Sequence, residues 1–235
     1  MHQFFAPDIE QTRLLPEDES LHCSRVLRLE RGTVIAVADG KGNRFLAVII
    51  EAHPKNTVVE IVEKQHVVRN ENNLIHIAVA TTKNKDRFEW FVEKATEIGA
   101  DIITPLFSHH VERKQISMDR LQKIAVAAFK QSQRAYLPLI QSPASFDDIV
   151  QKSTEKQRFI AHCYDEQRIF LSSVYRPFES SLVLIGPEGD FTMEEVEKAL
   201  AHHFVPILLG NNRLRTETAG IVACHTLEML RNHAK

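Results

Sequence analysis

Ser181–Phe191 reads SLVLIGPEGDF, and Leu208–Gly220 reads LLGNNRLRTETAG. Each stretch is an apolar run that halts at glycine and then leads toward a helix. Such a run reads as a buried strand delivering a tight loop. Two loops of this kind in one domain can meet at one sheet edge. Ligands of open α/β sheets sit there, outside the carboxyl ends of the strands. The pattern predicts an α/β domain that binds a small molecule with backbone-rich loops near its C-terminus.

Working outward, the α/β pattern begins at Leu74. Leu74–Ala80 predicts a strand. Phe88, Phe91, Val92, Ala95 and Ile98 recur at helical spacing, and Gly99 closes that helix. Asp101–Phe107 predicts a strand, followed by a helix from Arg120 to Gln133. Arg158–Ala161, Leu182–Ile185 and Val205–Leu209 are further strands. Thr192 and Glu195 form a capping-box pattern before Val196 and Leu200. A last helix spans Thr218–Arg231. Strand–helix alternation argues for a parallel sheet covered by helices.

Residues 1–70 read differently. Thr33–Ala38 and Arg44–Glu51 flank DGKGN, a turn-rich stretch that predicts a hairpin. Thr57–Val62 gives a third strand, and Gln3–Ala6 an N-terminal one. Pro16–Leu29 predicts a helix, with Glu17, Asp18 and Glu19 at its positive end and Gly32 after it. Short strands with one helix suggest a small barrel, and His66–Asn73 reads as the linker. The two domains are thus 1–70 and 74–235.

Composition narrows the field. Hydrophobic residues are 43% and charged residues 26%, which suits a globular chain. No apolar run is long enough to span a bilayer, and MHQFFAPDIEQTR does not read as a signal peptide. The net charge of −2 gives no global field for nucleic acid. Basic residues cluster only locally: Arg25, Arg28 and Arg31; Lys83, Lys85 and Arg87; Lys130 and Arg134. Cys23, Cys163 and Cys224 form no CxxC pair, so they read as buried small hydrophobes in a reducing cytoplasm.

The chemistry-bearing residues concentrate in the two opening stretches. GPEGD is neither a phosphate-binding P-loop nor a dinucleotide fingerprint. In NNRLRTETAG, Thr216 or Thr218 can cap a helix and Glu217 suits its positive end. Arg215 does not fit that bland account, because a cation is unfavourable there. An anionic or electron-rich partner would explain it. His22, Arg25 and Arg28 share one helix face, either a solvated stripe or a phosphate contact. The His109–His110 and His202–His203 pairs lack metal-ligand spacing, and no nucleophile elbow is present.

LIGPEG at Leu184–Gly189 and LRTETA at Leu214–Ala219 resemble the two signature loops of the RsmE family. These are 16S rRNA (uridine-N3) methyltransferases of the SPOUT superfamily. His22 with RVLR at Arg25–Arg28, DGKGN, EKATEIGADIITPLFS at Glu93–Ser108 and QSQR at Gln131–Arg134 agree in order. The resemblance spans nearly the whole chain. It implies a PUA-like β-barrel, a SPOUT α/β domain with a deep trefoil knot, S-adenosylmethionine as methyl donor, and a homodimer. It implies cofactor contacts at Leu184, Gly186, Pro187, Glu188, Gly189, Leu209, Gly210, Leu214, Arg215, Thr216, Thr218 and Ala219, with His162 as a further wall. His22, Arg25, Arg28, Lys83, Gln131 and Arg134 are expected to face 16S rRNA, free or in the small ribosomal subunit. No metal and no membrane are expected.

Three positions depart from the family pattern. Gln3 stands where relatives carry arginine in a PRFF-like stretch. Asp190 replaces the last glycine of GPEGG, where it is expected to help Thr192 cap a helix. Lys130 replaces the glutamate of EQS. For catalysis, Arg215 is the candidate to stabilise a deprotonated uracil. No general base is evident in the sequence; Glu217 is a second catalytic candidate, although its place at the positive end of a helix accounts for it more simply. Two other readings fit parts of the chain: a non-catalytic RNA-binding module, or an enzyme holding an anionic nucleotide at Gly189–Thr192. Another SPOUT RNA methyltransferase with a different target base is a closer variant.

Overall fold

Ile75–Ala80 (β5) is buried at all six positions, as expected of a strand covered on both faces. It is the centre of the larger of two compact units, which comprises residues 70–125 and 138–235. The smaller unit comprises 1–69 and 126–137. The computed structural model describes residues 2–112, 115–164 and 168–233.

From β5 the chain leads to α3 (Lys85–Ile98), β6 (Ile102–Phe107), α4 (Met118–Gln131, whose residues from 126 onward belong to the smaller unit), β7 (Leu139–Ile140), β8 (Ala144–Ser145) and α5 (Phe146–Lys152). Then follow β9 (Gln157–Ala161), β10 (Ile169–Phe170), α6 (Leu171–Val174), β11 (Ser181–Ile185), α7 (Met193–Ala201), β12 (Val205–Leu208) and α8 (Thr216–His233). The sheet runs β10-β12-β9-β11-β5-β6-β7, with β8 also on β6. Its pairings are all parallel.

Register sets the site. Ile185 of β11 pairs with Ala161 of β9, and Ile207 of β12 pairs with the same Ala161. Three strands therefore end level, and the loops that follow them start side by side.

The helices form where local chemistry allows. Asn84 accepts the amide of Asp86 at the start of α3, and Gly99 ends that helix at φ +147°. Thr192 and Glu195 complete both limbs of the expected capping box on α7. Phe146, Leu182, Leu184, Phe191, Val196 and Phe204 pack one core cluster, with α5 and α7 contributing. Each such side chain contributes roughly 1.5–3 kcal/mol on burial. Elsewhere α8 lies against α3 so closely that a Cβ on Gly220 would stand 2.6 Å from the Phe91 ring. Within the sheet, His76 of β5 bonds Thr104 of β6 at 2.7 Å through Nε2, and its Nδ1 bonds Glu155 at 2.6 Å. Arg231, near the end of α8, pairs with Asp101 at 2.5 Å.

The smaller unit holds β1 (Gln3–Phe5), α1 (Ile9–Thr12), α2 (Glu17–Leu21), β2 (Val34–Ala38), β3 (Asn43–Glu51) and β4 (Val58–His66). Its sheet runs β1-β2-β3-β4, and Leu14 bridges to Val58. The predicted hairpin is β2–β3, with Asp39 accepting the amides of Lys41 and Asn43 inside DGKGN. Residues 126–137 complete this unit, although sequence reading assigns them to the second domain. The Gln3 amide donates to the Arg134 carbonyl at 3.1 Å, and Gly42 N–H donates to Ala135 at 3.0 Å.

Several expectations are corrected. The helix predicted over Pro16–Leu29 changes to a π turn at His22–Val26 and ends there; Arg28 sits at φ +53°. His22, Arg25 and Arg28 therefore do not share one helix face. β4 runs to His66 rather than Val62, so the predicted linker starts later. The last helix begins at Thr216, two residues before its predicted start. Short β7, β8 and β10 lack any periodic signal and are absent from the sequence reading.

Candidate functional site

The level ends of β9, β11 and β12 enclose a cavity of about 620 Å³. Its walls include Ala161, His162 and Cys163 after β9, Ile185–Glu188 and Asp190 after β11, and Ile207–Thr216 after β12. Ala219 adds the first turn of α8. Arg168 also lines it and donates to the His162 carbonyl at 2.7 Å.

Two side chains tie these loops together. Thr216 Oγ1 donates to the Gly186 carbonyl at 3.0 Å. That bond uses the hydroxyl expected to cap α8. The Arg215 carbonyl accepts Ala219 N–H at 2.8 Å, which makes Arg215 the cap residue just before α8. Asp190 is the second tie. Its carboxylate accepts the Cys163 amide at 2.7 Å and the Phe191 amide at 2.8 Å. Asp190 lies at φ +64°, a conformation that favours glycine. The family glycine thus has a backbone reason, and Asp190 trades that freedom for two hydrogen bonds. It does not join Thr192 in capping α7.

Of the residues implied as cofactor contacts, His162, Gly186, Pro187, Glu188, Leu209, Gly210, Leu214, Arg215, Thr216 and Ala219 line the cavity. Leu184 does not; it is fully buried in the core, on β11. Gly189 does not either, and a Cβ there would lie 3.2 Å from His110. Thr218 lines a neighbouring, shallower cavity of about 660 Å³ instead. That neighbour is walled by Arg87, Trp90 and Glu217, and it shares Arg213–Arg215 with the first. Sequence reading missed Cys163, Arg168, Asn211, Asn212 and Arg213 as wall residues. Cys163 and Arg168 depend on strand order, which carries no local signal, whereas Asn211–Arg213 lie in the same loop as the expected Gly210 and Leu214 and were within reach of the sequence.

Cys163 is exposed, against the expectation that all three cysteines are buried; Cys23 and Cys224 are buried. Desolvation pushes the Cys163 thiol up, and the Asp190 charge adds to the rise. Glu217 is buried, its Oε2 lacks a hydrogen-bond partner among the described residues, and its Oε1 stands 3.8 Å from Arg87 Nε.

In the smaller unit Arg25 and Arg28 are exposed, as is Gln131. His22 is half-buried, 6.1 Å ring to ring from Phe4, and desolvation then Lys130 hold its pKa down. Lys130 is committed to Glu19 at 2.5 Å, so it is an internal partner rather than a phosphate contact. In the larger unit Lys83 is exposed and pairs with Glu112 at 3.0 Å. Among the described residues no His, Cys, Asp and Glu group could hold a metal ion, and no helix is long and apolar enough to cross a membrane.

A parallel sheet with a loop-walled cavity at its strand ends, in a chain that also holds a separate small β unit, is matched by the models of an RNA methyltransferase. The family description "RNA methyltransferase domain" matches residues 69–228, and "RNA methyltransferase PUA domain" matches 15–62. The chain belongs to the ribosomal RNA small subunit methyltransferase E family. The member from Synechocystis is 31% identical, covering 94% of this chain and 74% of its own. The member from Buchnera aphidicola is 27% identical over 95% of this chain and 90% of its own. A crystal structure of a "probable rRNA-methyltransferase" from Porphyromonas gingivalis superposes with TM-score 0.92, 39% identity and full coverage of both chains. A protein from Legionella pneumophila, solved with the bound cofactor SAM, gives TM-score 0.86 at 28% identity and 98% coverage of each.

The cavity fits such a cofactor. Gly210 lines it, yet a Cβ there would meet nothing within 4 Å. No protein neighbour requires glycine at 210, so the open space belongs to the cavity. The walls combine backbone-rich loops with the carboxylates of Glu188 and Asp190 and three guanidiniums, a donor and acceptor set suited to an amino-acid-bearing nucleoside.

Proposed function

We propose that this chain transfers a methyl group from S-adenosylmethionine to N3 of a uridine in 16S rRNA. One observation carries the reading: three level strand ends bring Gly186–Glu188, Leu209–Gly210 and Leu214–Thr216 around one cavity in a chain of this family. When bound, the cofactor supplies an electrophilic methyl carbon, whose bond to sulfur breaks with its electron pair left on sulfur. The chain's own residues do the rest. Thr216 and Asp190 hold the loops so that little ordering is left for the binding step. Arg215, at the cavity edge, places a guanidinium where negative charge develops on the uracil carbonyls as N3–H is lost. Glu217 accepts that proton and releases it to water.

Local basic residues bind the RNA, Arg25, Arg28 and Arg134 on the smaller unit and Lys83 on the larger, together with the neutral amide of Gln131. The two-domain division at 70–74, the deep knot, the homodimer and a cytoplasmic location belong to the same reading. The homodimer is tested by molar mass in solution. The function is tested by incubating the chain with labelled donor and small-subunit rRNA, then analysing nucleosides. Label in 3-methyluridine is expected; label in another base overturns the assignment. Arg215→Ala is expected to abolish turnover while cofactor binding persists.

A further inference from the structure

We propose that the shallow cavity beside the cofactor cavity receives a flipped-out uracil, with Trp90 stacking on the ring and the Glu217 carboxylate accepting its N3–H. The inference rests on the methyl-transfer reading and names the groups that select the base.

Arg87 and Trp90 stand three residues apart on α3, so they share a face. That face meets the loop bearing Arg213 and Arg215 and the first turn of α8 bearing Glu217. The two cavities share Arg213–Arg215, so a base in one lies next to a donor in the other. Trp90 is 44% exposed, unlike its buried neighbours Phe88 and Phe91. An aromatic face left open beside guanidiniums is the usual platform for a nucleobase.

Glu217 specifies which base. Its side chain is 8% exposed, and its Oε2 has no hydrogen-bond partner among the described residues. Its distance of 3.8 Å to Arg87 is too long for a hydrogen bond. A buried carboxylate oxygen without a donor is unfavourable, and a donor from an incoming ligand relieves it. Uracil presents one N–H between two carbonyl acceptors. The cavity presents two carboxylates among guanidinium donors, exposed Asp86 at its rim and buried Glu217 within, and Glu217 is the acceptor that the N–H meets away from water. Cytosine would set its N3 lone pair against the carboxylate. Guanine would add an amino donor to a rim already rich in donors.

Trp90 is the single tryptophan of the chain, so its emission reports this cavity directly. The full chain with S-adenosylhomocysteine is titrated with a short single-stranded RNA carrying one uridine, and with its cytidine and guanosine counterparts. The uridine RNA is expected to quench Trp90 at roughly ten-fold lower concentration than the others, the value of one well-made base contact. Glu217→Gln is expected to keep the quenching and lose the preference. Trp90→Ala should raise the KM for RNA roughly ten-fold, with Trp90→Phe largely restoring it, because stacking survives on any aromatic face. Equal quenching by all three RNAs, or none, overturns the proposal. Emission that follows protein concentration and ignores RNA assigns the face to a second copy and also overturns it. Methyl transfer without quenching sinks this cavity alone; quenching by the uridine RNA without methyl transfer sinks the enzymatic reading alone.

Discussion

The carboxylate of Asp190 accepts the backbone N–H of Cys163 at 2.7 Å, joining the loop after β11 to the loop after β9. These loops form two walls of one cavity, so the bond holds its width. Asp190→Ala removes this bond and the one to Phe191 while leaving a side chain at positive φ. Hydrogen bonds to a charged group contribute about 1.5–3 kcal/mol each. Calorimetry is expected to show S-adenosylmethionine affinity lower by roughly ten-fold or more. Undiminished affinity would remove Asp190 from the cofactor site's support.

Cys163 supplies a second readout of the same contact. Burial first, and Asp190 next, push its thiol up. Its thiolate is therefore scarce at neutral pH. Asp190→Asn removes the charge, so iodoacetamide should alkylate Cys163 faster at a fixed pH near 8. Cofactor should slow the reaction in both proteins. Mass spectrometry of the Cys163 peptide separates it from buried Cys23 and Cys224.

Thr216→Val preserves shape and deletes the bond to Gly186. The buried carbonyl then loses a partner, at a cost of about 1–3 kcal/mol. A melting temperature lower by roughly 2–4 °C per kcal/mol is expected. Thr216→Ser should recover most of it. A Val variant with unchanged melting temperature and cofactor KM would show that the bond holds nothing in place.

Burial raises the Glu155 carboxyl, but the hydrogen bond and charge of His76 outweigh it and hold its pKa below 4.5. A depressed carboxylate pKa gives stability that is whole above 4.5 and drains away as pH falls through the folded value. Wild-type melting temperature should therefore drop between about pH 5 and pH 3. Glu155→Gln should lie lower at neutral pH and change less across that window. Parallel curves for the two proteins would contradict the pairing.

RNA binding should weaken with salt, despite the chain's mild acidity. Each phosphate contact adds about 0.7–0.9 to the slope of log affinity against log salt. Arg25→Ala should reduce that slope by roughly one contact. Lys130→Ala should not, since Lys130 is occupied by Glu19. Filter binding across a salt series distinguishes the two.

Local chemistry was readable where it acts over a few residues. Thr192 and Glu195 announce a capping box, DGKGN a hairpin, and the runs ending at Gly186 and near Gly210 the cavity loops. Interactions across the sheet left no such trace. Nothing near Asp190 in sequence indicates that its partner is Cys163, twenty-seven positions away. The π turn at His22–Val26 follows helical spacing closely enough to pass for a helix, which misplaced Arg28. Lys130 reads as a surface cation until folding brings Glu19 to it.

The smaller unit draws on residues 126–137 as well as 1–69. Gln3, Gly42 and Arg44 each bond a backbone carbonyl between Gln133 and Ala135. During synthesis, then, the leading segment leaves the ribosome with its hydrogen-bond partners still untranslated. Residues 1–69 must wait until 126–137 have emerged, so this unit is finished well after its opening strands are made.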